Sequence, residues 1–171
     1  MKNDNRSNNE KLVHAYNAMM LRVSESLAKV THAAGPKMRE AIEAAEEKAV
    51  ELGELTREEA LKIGDYLRRD LQGAGEYLAS PKGEELADWL RFDLDMLEAE
   101  LLDMFLSAAD QTKLDMLNFE EQLIESTQYH TGEITGPGTL VCEACGEVLH
   151  FHAAGHIPPC PKCHATVYNR G

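Results

Sequence analysis

Two short cysteine motifs constrain this chain more than any other feature. Cys142-Glu-Ala-Cys145 and Cys160-Pro-Lys-Cys163 hold all four cysteines, with fourteen residues between the two CxxC pairs. A CxxC makes a tight knuckle whose sulfurs face one way. Two facing knuckles present four thiolates at tetrahedral positions, about 2.3 Å from a zinc ion. The intervening length suffices for two short strands and a turn, which is the zinc-ribbon spacing. Cys142, Cys145, Cys160 and Cys163 are therefore the candidate ligands of one structural Zn²⁺ per chain. Four sulfurs close the coordination sphere and leave no position for substrate, so the site reads as structural rather than catalytic. A module of this size has too small a core of its own, so the ion must supply much of its folding free energy. On this reading, replacing Cys142 and Cys160 by Ser should release the zinc and unfold the tail while the helices before it persist.

The composition changes where the cysteine-bearing tail begins. His130, His150, His152, His156 and His164 all follow residue 128, as do Gly132, Gly136, Pro137, Gly138, Pro158 and Pro159. Residues 128–171 carry two cations against three carboxylates, so nearly all of the net charge of −13 belongs to residues 1–127. These shifts predict a boundary near residue 127. The expected layout is a disordered N-terminus over 1–8, an acidic helical bundle or coiled coil over 9–127, and a zinc ribbon over 128–171.

Before that boundary the period is helical. Leu12, Tyr16, Met19 or Met20, Val23, Leu27 and Val30 form one stripe on a helix of about residues 9–32. Gly35-Pro36 punctuates the chain, and a second helix runs from Pro36 to about Leu52, with Gly53 at its C′ position. Thr56-Arg57-Glu58-Glu59 is a capping box. It opens a third helix over roughly 57–72, with Leu61, Gly64, Leu67 and Leu71 on one side and Glu58–Lys62 and Asp65–Arg69 as pairs on the wet face. Gly73 and Gly75 should loosen the chain. Ser80-Pro81 starts the last stretch, and from Glu84 to Thr131 there is neither Gly nor Pro. Leu86, Leu90, Leu94, Leu97, Leu101, Phe105 and Ala108 keep near-heptad spacing on this stretch. Trp89 falls at core spacing. Unbroken, this helix would be about 45 residues and about 68 Å long, with Ser107 to Thr112 the place for a bend. It requires a bundle or a pairing of chains. The fold class is mainly α: an elongated, coiled-coil-like helical hairpin or bundle, followed by a small C-terminal β zinc ribbon. The tail's strands are expected at Tyr129–Ile134, Thr139–Val141, Val148–His152 and Thr166–Tyr168.

Charge and motif content narrow the function classes. Thirty acidic against seventeen basic residues oppose nucleic acid and anionic membranes as partners. There is no apolar run near the roughly 20 residues of a membrane span and no secretory h-region in Met1–Glu10, so the expected compartment is the cytoplasm, where thiols stay reduced. No Ser-His-Asp arrangement or phosphate loop is recognisable. Iron is the alternative ion, because Cys145-Gly146 and Cys160-Pro161 also fit the rubredoxin pattern, although His164 stands where rubredoxin has Gly. A rubrerythrin-like peroxidase would need Glu-x-x-His on its helices, and the chain's one such motif, Glu147 to His150, lies inside the ribbon. His150 and His152 read as solvated strand residues.

Two stretches carry a family resemblance. Gly53-Glu-Leu-Thr-Arg57 running on to Leu67-Arg-Arg-Asp-Leu71, and Tyr129-His-Thr-Gly-Glu-Ile134 with Gly138-Thr-Leu-Val-Cys142 and Cys160-Pro-Lys-Cys163, together resemble the YbeL-type zinc-ribbon-containing proteins of bacteria. The likeness spans most of residues 50–171 and departs at His164, where that family often has Gly. It implies a cytosolic helical protein with a ribbon, ligands at the same four cysteines, and no enzyme activity. The reading is a non-enzymatic adaptor or regulatory protein whose ribbon docks an unidentified protein partner and whose acidic helices form a stalk or a homo-oligomer contact. A nucleic-acid- or transcription-associated ribbon is the alternative.

Overall fold

The structure, a computed structural model, describes residues 2–28, 37–78, 96–119 and 128–171. Four helices come first: α1 Lys2–Ala28, α2 Lys37–Glu51, α3 Arg57–Leu78 and α4 Met96–Phe119. Six short strands follow: β1 Tyr129–His130, β2 Ile134–Thr135, β3 Gly138–Cys142, β4 Val148–Phe151, β5 Gly155–His156 and β6 Val167–Arg170. Val30, the Gly35-Pro36 break, the Ser80-Pro81 cap, Trp89 and both ends of the expected long final helix lie outside the described residues.

The helices form a bundle in which α1 and α3 each pack against both α2 and α4. Their buried faces follow the helical period: Tyr16, Met19, Val23 and Leu27 on α1, and Met38, Ile42, Ala45 and Ala49 on α2. On α4, Leu102, Phe105, Ala108 and Ala109 are buried, and the helix runs unbroken through Ser107–Thr112. Leu101, expected on the buried stripe, is only partly buried. α1 begins at Lys2, where a disordered 1–8 segment was expected. Once the packed turns downstream have formed, extending a helix backward costs far less than nucleating one.

The turn between α2 and α3 follows the sequence closely. Gly53 sits at φ 69°, and Gly53 N donates to Val50 O at 3.0 Å while Glu54 N donates to Ala49 O at 3.0 Å. This is a Schellman end, which needs a residue at positive φ. Thr56 N donates to Glu59 Oε2 at 2.9 Å and Glu59 N to Thr56 Oγ1 at 3.2 Å, the two reciprocal bonds of the capping box.

α3 departs from expectation in three ways. Its buried face is Ala60, Ile63, Leu67, Leu71 and Ala74, whereas Leu61 is 49% exposed. The helix also continues through Gly73 and Gly75 to Leu78. Finally, Arg69 leaves the wet face: Asp65 pairs with Arg68 at 3.1 Å, and Arg69 is buried. The last two have one cause, which is that the ribbon packs against the C-terminal half of this helix; Leu61 lies one position off the Ala60–Ile63–Leu67 face and so turns outward beside α2.

The ribbon is a four-stranded antiparallel sheet, ordered β1-β6-β3-β4, beside a two-stranded β2-β5 pair. The stretch expected as one strand, Tyr129–Ile134, is broken by Gly132 at φ 90°, so β1 and β2 join different sheets. Ile134 belongs to the core of the bundle. Gly136 follows it, and a Cβ there would lie 2.6 Å from Tyr16 Oη and 2.8 Å from Phe105 Cε2. At Gly73 a Cβ would meet Arg170 Cδ at 2.7 Å. These glycines let backbone lie directly on side chains across the junction. Gly136→Ala should therefore destabilise the chain by about 1–3 kcal/mol, seen as a lower urea midpoint at unchanged zinc content.

The junction is held by buried charge. Asp70 on α3 is fully buried. Its Oδ2 accepts from Tyr16 Oη at 2.5 Å and from Gly136 N at 2.7 Å. Arg69 lies 3.4 Å and Arg170 3.7 Å from its Oδ1. Arg69 also donates to Glu133 and to Ile134 O, and its guanidinium sits 3.8 Å from the Tyr129 ring centroid. Arg170 donates to Tyr129 Oη at 3.0 Å and Pro137 O at 2.6 Å. Burial, with Asp70 alongside, raises the Tyr16 phenol well above its ordinary pKa, which keeps it a neutral donor.

Candidate metal centre

Cys142 ends β3 and opens the first knuckle. Its amide donates to Glu147 O at 2.8 Å, and Gly146 N donates back to Cys142 O at 2.9 Å. The second knuckle repeats the pattern. Cys160 N donates to Ala165 O at 2.9 Å and His164 N to Cys160 O at 2.9 Å. Gly146 has φ 74° and His164 has φ 61°, so His164 stands in the place a glycine fills in the first knuckle. A left-handed backbone costs an L-residue roughly 1–2 kcal/mol, and His tolerates it better than most. The departure at His164 therefore leaves the knuckle intact.

The two loops bring all four expected residues together. The sulfurs of Cys142 and Cys163 are 3.6 Å apart, as are those of Cys145 and Cys160, and all four lie within 4.8 Å of one another. A disulfide needs about 2.05 Å, so none of these contacts is one. A tetrahedron with metal–sulfur bonds of about 2.3 Å has edges of about 3.8 Å, close to the observed separations. The donor set and its spacing fit one tetrahedral ion.

The sulfurs do not behave alike. Burial works against the Cys160 thiolate, but the amides of Cys163 and Lys162 and the neighbouring thiols outweigh it and bring the pKa down to about 7. The Glu147 amide favours the Cys145 thiolate, yet burial and the other three sulfurs push its pKa up to about 12. Four crowded sulfurs resist full ionisation together, and a divalent cation is what relieves that repulsion. Behind them, Tyr129, Leu140, Ile157 and Tyr168 form a small core with Cys142 and Cys160, and Tyr168 Oη donates to Pro158 O at 2.8 Å.

Among the described residues, the four cysteines form the one cluster able to hold a metal ion. The histidines are engaged elsewhere: His150 Nδ1 lies 3.2 Å from Thr139 Oγ1, and His156 contacts the carbonyls of Gly132 and Asn9. No described helix is long and apolar enough to cross a membrane.

Sequence reasoning missed the residues that seat this site on the bundle, namely Tyr16, Arg69, Asp70, Gly136 and Arg170. The signal was present in the run Leu67-Arg-Arg-Asp-Leu71, where two ionic residues sit on the side of α3 that continues its apolar stripe.

The family of the zinc-ribbon containing domain matches residues 25–171. Over 95 residues the chain is 34% identical to the uncharacterized protein YbeL of Escherichia coli strain K12, covering 53% of this chain and 54% of that protein. The YbeL proteins of strains O6:H1 and O157:H7 match to the same extent. This stretch amounts to about half the length of these curated relatives. No solved structure matches the chain. The family and the clustered sulfurs together support zinc binding.

Proposed function

This chain belongs to the zinc-ribbon containing domain family, and from that premise we propose that it is a non-enzymatic, cytoplasmic adaptor holding one structural zinc per chain. Cys142, Cys145, Cys160 and Cys163 would hold the ion, which fixes the two knuckles and leaves no open coordination position. The observation that carries this reading is the closed set of four sulfurs on a ribbon clamped at one end. Pro137 and Gly138 are buried at the bundle, while Glu143, Ala144, Lys162 and His164 on the knuckles are exposed. Such an arrangement offers rigid, solvent-facing loops to a protein partner. The strongly acidic composition supports a protein rather than a nucleic acid in that role.

Metal analysis of the full, untagged chain tests the assignment. One zinc per chain is expected, falling to none when Cys142→Ser and Cys160→Ser are combined. Stoichiometric metal retained by that variant would reject the ligand set. A red protein with visible charge-transfer bands would replace zinc by iron.

A further inference from the structure

His156 makes a second contact between the ribbon and the bundle, apart from the Asp70 cluster. Its Nδ1 lies 3.2 Å from Gly132 O and its Nε2 lies 3.2 Å from Asn9 O. Both oxygens belong to backbone carbonyls, which only accept hydrogen bonds. A neutral imidazole carries one N–H and turns a lone pair toward one of the two carbonyls; an imidazolium carries two N–H groups and satisfies both. The surroundings hold this geometry in place. Gly132 N donates to Ile157 O at 2.8 Å and Ile157 N donates to Glu133 O at 2.9 Å, which fixes the Gly132 turn beside β5. Asn9 lies within α1, so its carbonyl is directed along that helix. His156 itself pairs with Ile134 across β2 and β5, and Ile134 is buried in the core of the bundle.

The titratable groups around the ring are few. Glu10 and His14 of α1 line the open cleft of about 640 Å³ beside it; both are exposed, so their opposing influences on a positive ring are screened by solvent. On the ribbon side, Glu133 follows Gly132, but it accepts from Arg69 and from the His130 amide, with the His130 ring 3.6 Å away. We propose that His156 is a proton-operated strap between α1 and the ribbon. Protonated, the ring donates to both carbonyls and ties α1 to the β2–β5 pair. Neutral, it gives up one bond, and the α1 turn from Asn9 to Val13 loosens from the ribbon. An imidazole ordinarily changes charge at about pH 6.5, so the strap responds within the physiological range. The seated state holds the extra proton; the stabilisation is therefore present at lower pH and is lost as pH rises through that range. Thiolate ligation of zinc has the opposite dependence, since protons compete with the metal as pH falls. The strap holds whether or not the ribbon docks a partner.

Amide hydrogen exchange on the full zinc-loaded chain tests the strap, read as protection factors for residues 9–13 of α1 after correction for the intrinsic effect of pH. Zinc is measured in each sample, and only fully loaded samples are compared. Between about pH 6 and about pH 8, on either side of the imidazole range, protection should fall roughly threefold to tenfold. His156→Gln should hold it within about twofold over the same interval, because a side-chain amide has no charge to lose there. His14→Gln and Glu10→Gln should keep the wild-type fall. A second reading needs no variant: in the wild-type chain the His156 ring-nitrogen chemical shifts should follow the same pH course as the α1 protection. Protection that is flat with pH in the wild-type chain, or a fall that survives in His156→Gln, overturns the proposal. So does a fall that vanishes with His14→Gln, since the titrating ring is then its neighbour across the cleft. Ring-nitrogen shifts that titrate apart from the α1 protection overturn it as well.

Discussion

Stripping the zinc with a chelator is expected to lower the thermal midpoint of the whole chain, helices included. Structural zinc contributes about 10–16 kcal/mol of apparent binding free energy in small zinc modules at neutral pH, so the ribbon should lose its fold outright. The effect should then spread. Ile134 is part of the helical core, and the Gly136 amide and Arg170 are partners of the buried Asp70 carboxylate. A melted ribbon would leave Asp70 and Arg69 without those partners, and breaking a buried ionic group costs about 3–5 kcal/mol. The sequence alone suggested a tail that unfolds from an intact bundle, and the junction argues against that separation. Far-ultraviolet circular dichroism melts with and without chelator decide between them. If the helical transition superimposes in the two conditions, the coupling proposed here is wrong.

Asp70→Asn is expected to be the most damaging substitution outside the cysteines. The new side chain is nearly the same size and can still meet Tyr16, but it removes the negative charge facing Arg69 and Arg170. The expected loss is about 3–5 kcal/mol in urea unfolding, with the zinc still bound in the folded state. With the amide oxygen in the place of Oδ2 the Tyr16 and Gly136 bonds survive, and the new N–H₂ faces Arg69 and Arg170 where an acceptor stood. Combining it with Arg69→Gln should cost less than the two single changes summed, by about 1 kcal/mol or more, because the pair share one network. A single-variant loss under about 1 kcal/mol, or strict additivity, would show that the ions are not the clamp.

What could be read from the sequence depended on how local its cause was. The zinc site was legible because each CxxC sets its own geometry and the interval between them limits how they can meet. The Schellman end at Gly53 and the box at Thr56 and Glu59 were legible for the same reason: their partners lie within a few residues. The buried face of α3 was misread at its edges. Leu61 counts as core by composition but falls just off the buried face, and Arg69 counts as solvent-facing by charge until the ribbon covers it. Gly73 and Gly136 look like loosening or turn residues until Arg170, Tyr16 and Phe105 are seen against them. Hydrophobic periodicity finds a helix's face, but it does not report a second body docking through ions and bare backbone.

The route by which this network closes also bears on how the protein is made. Synthesis delivers Tyr16 first, then Asp70, and the Gly136 amide only 66 residues after Asp70. At the roughly 5–20 residues per second of translation, that carboxylate waits several seconds, hydrated and uncommitted, on a nascent chain. Helices can form early, but their final seating must follow the ribosome's delivery of the ribbon and the capture of a metal ion. In a zinc-starved cell the chain would linger in that open stage, exposed to chaperones and proteases, so its abundance would follow the supply of the metal.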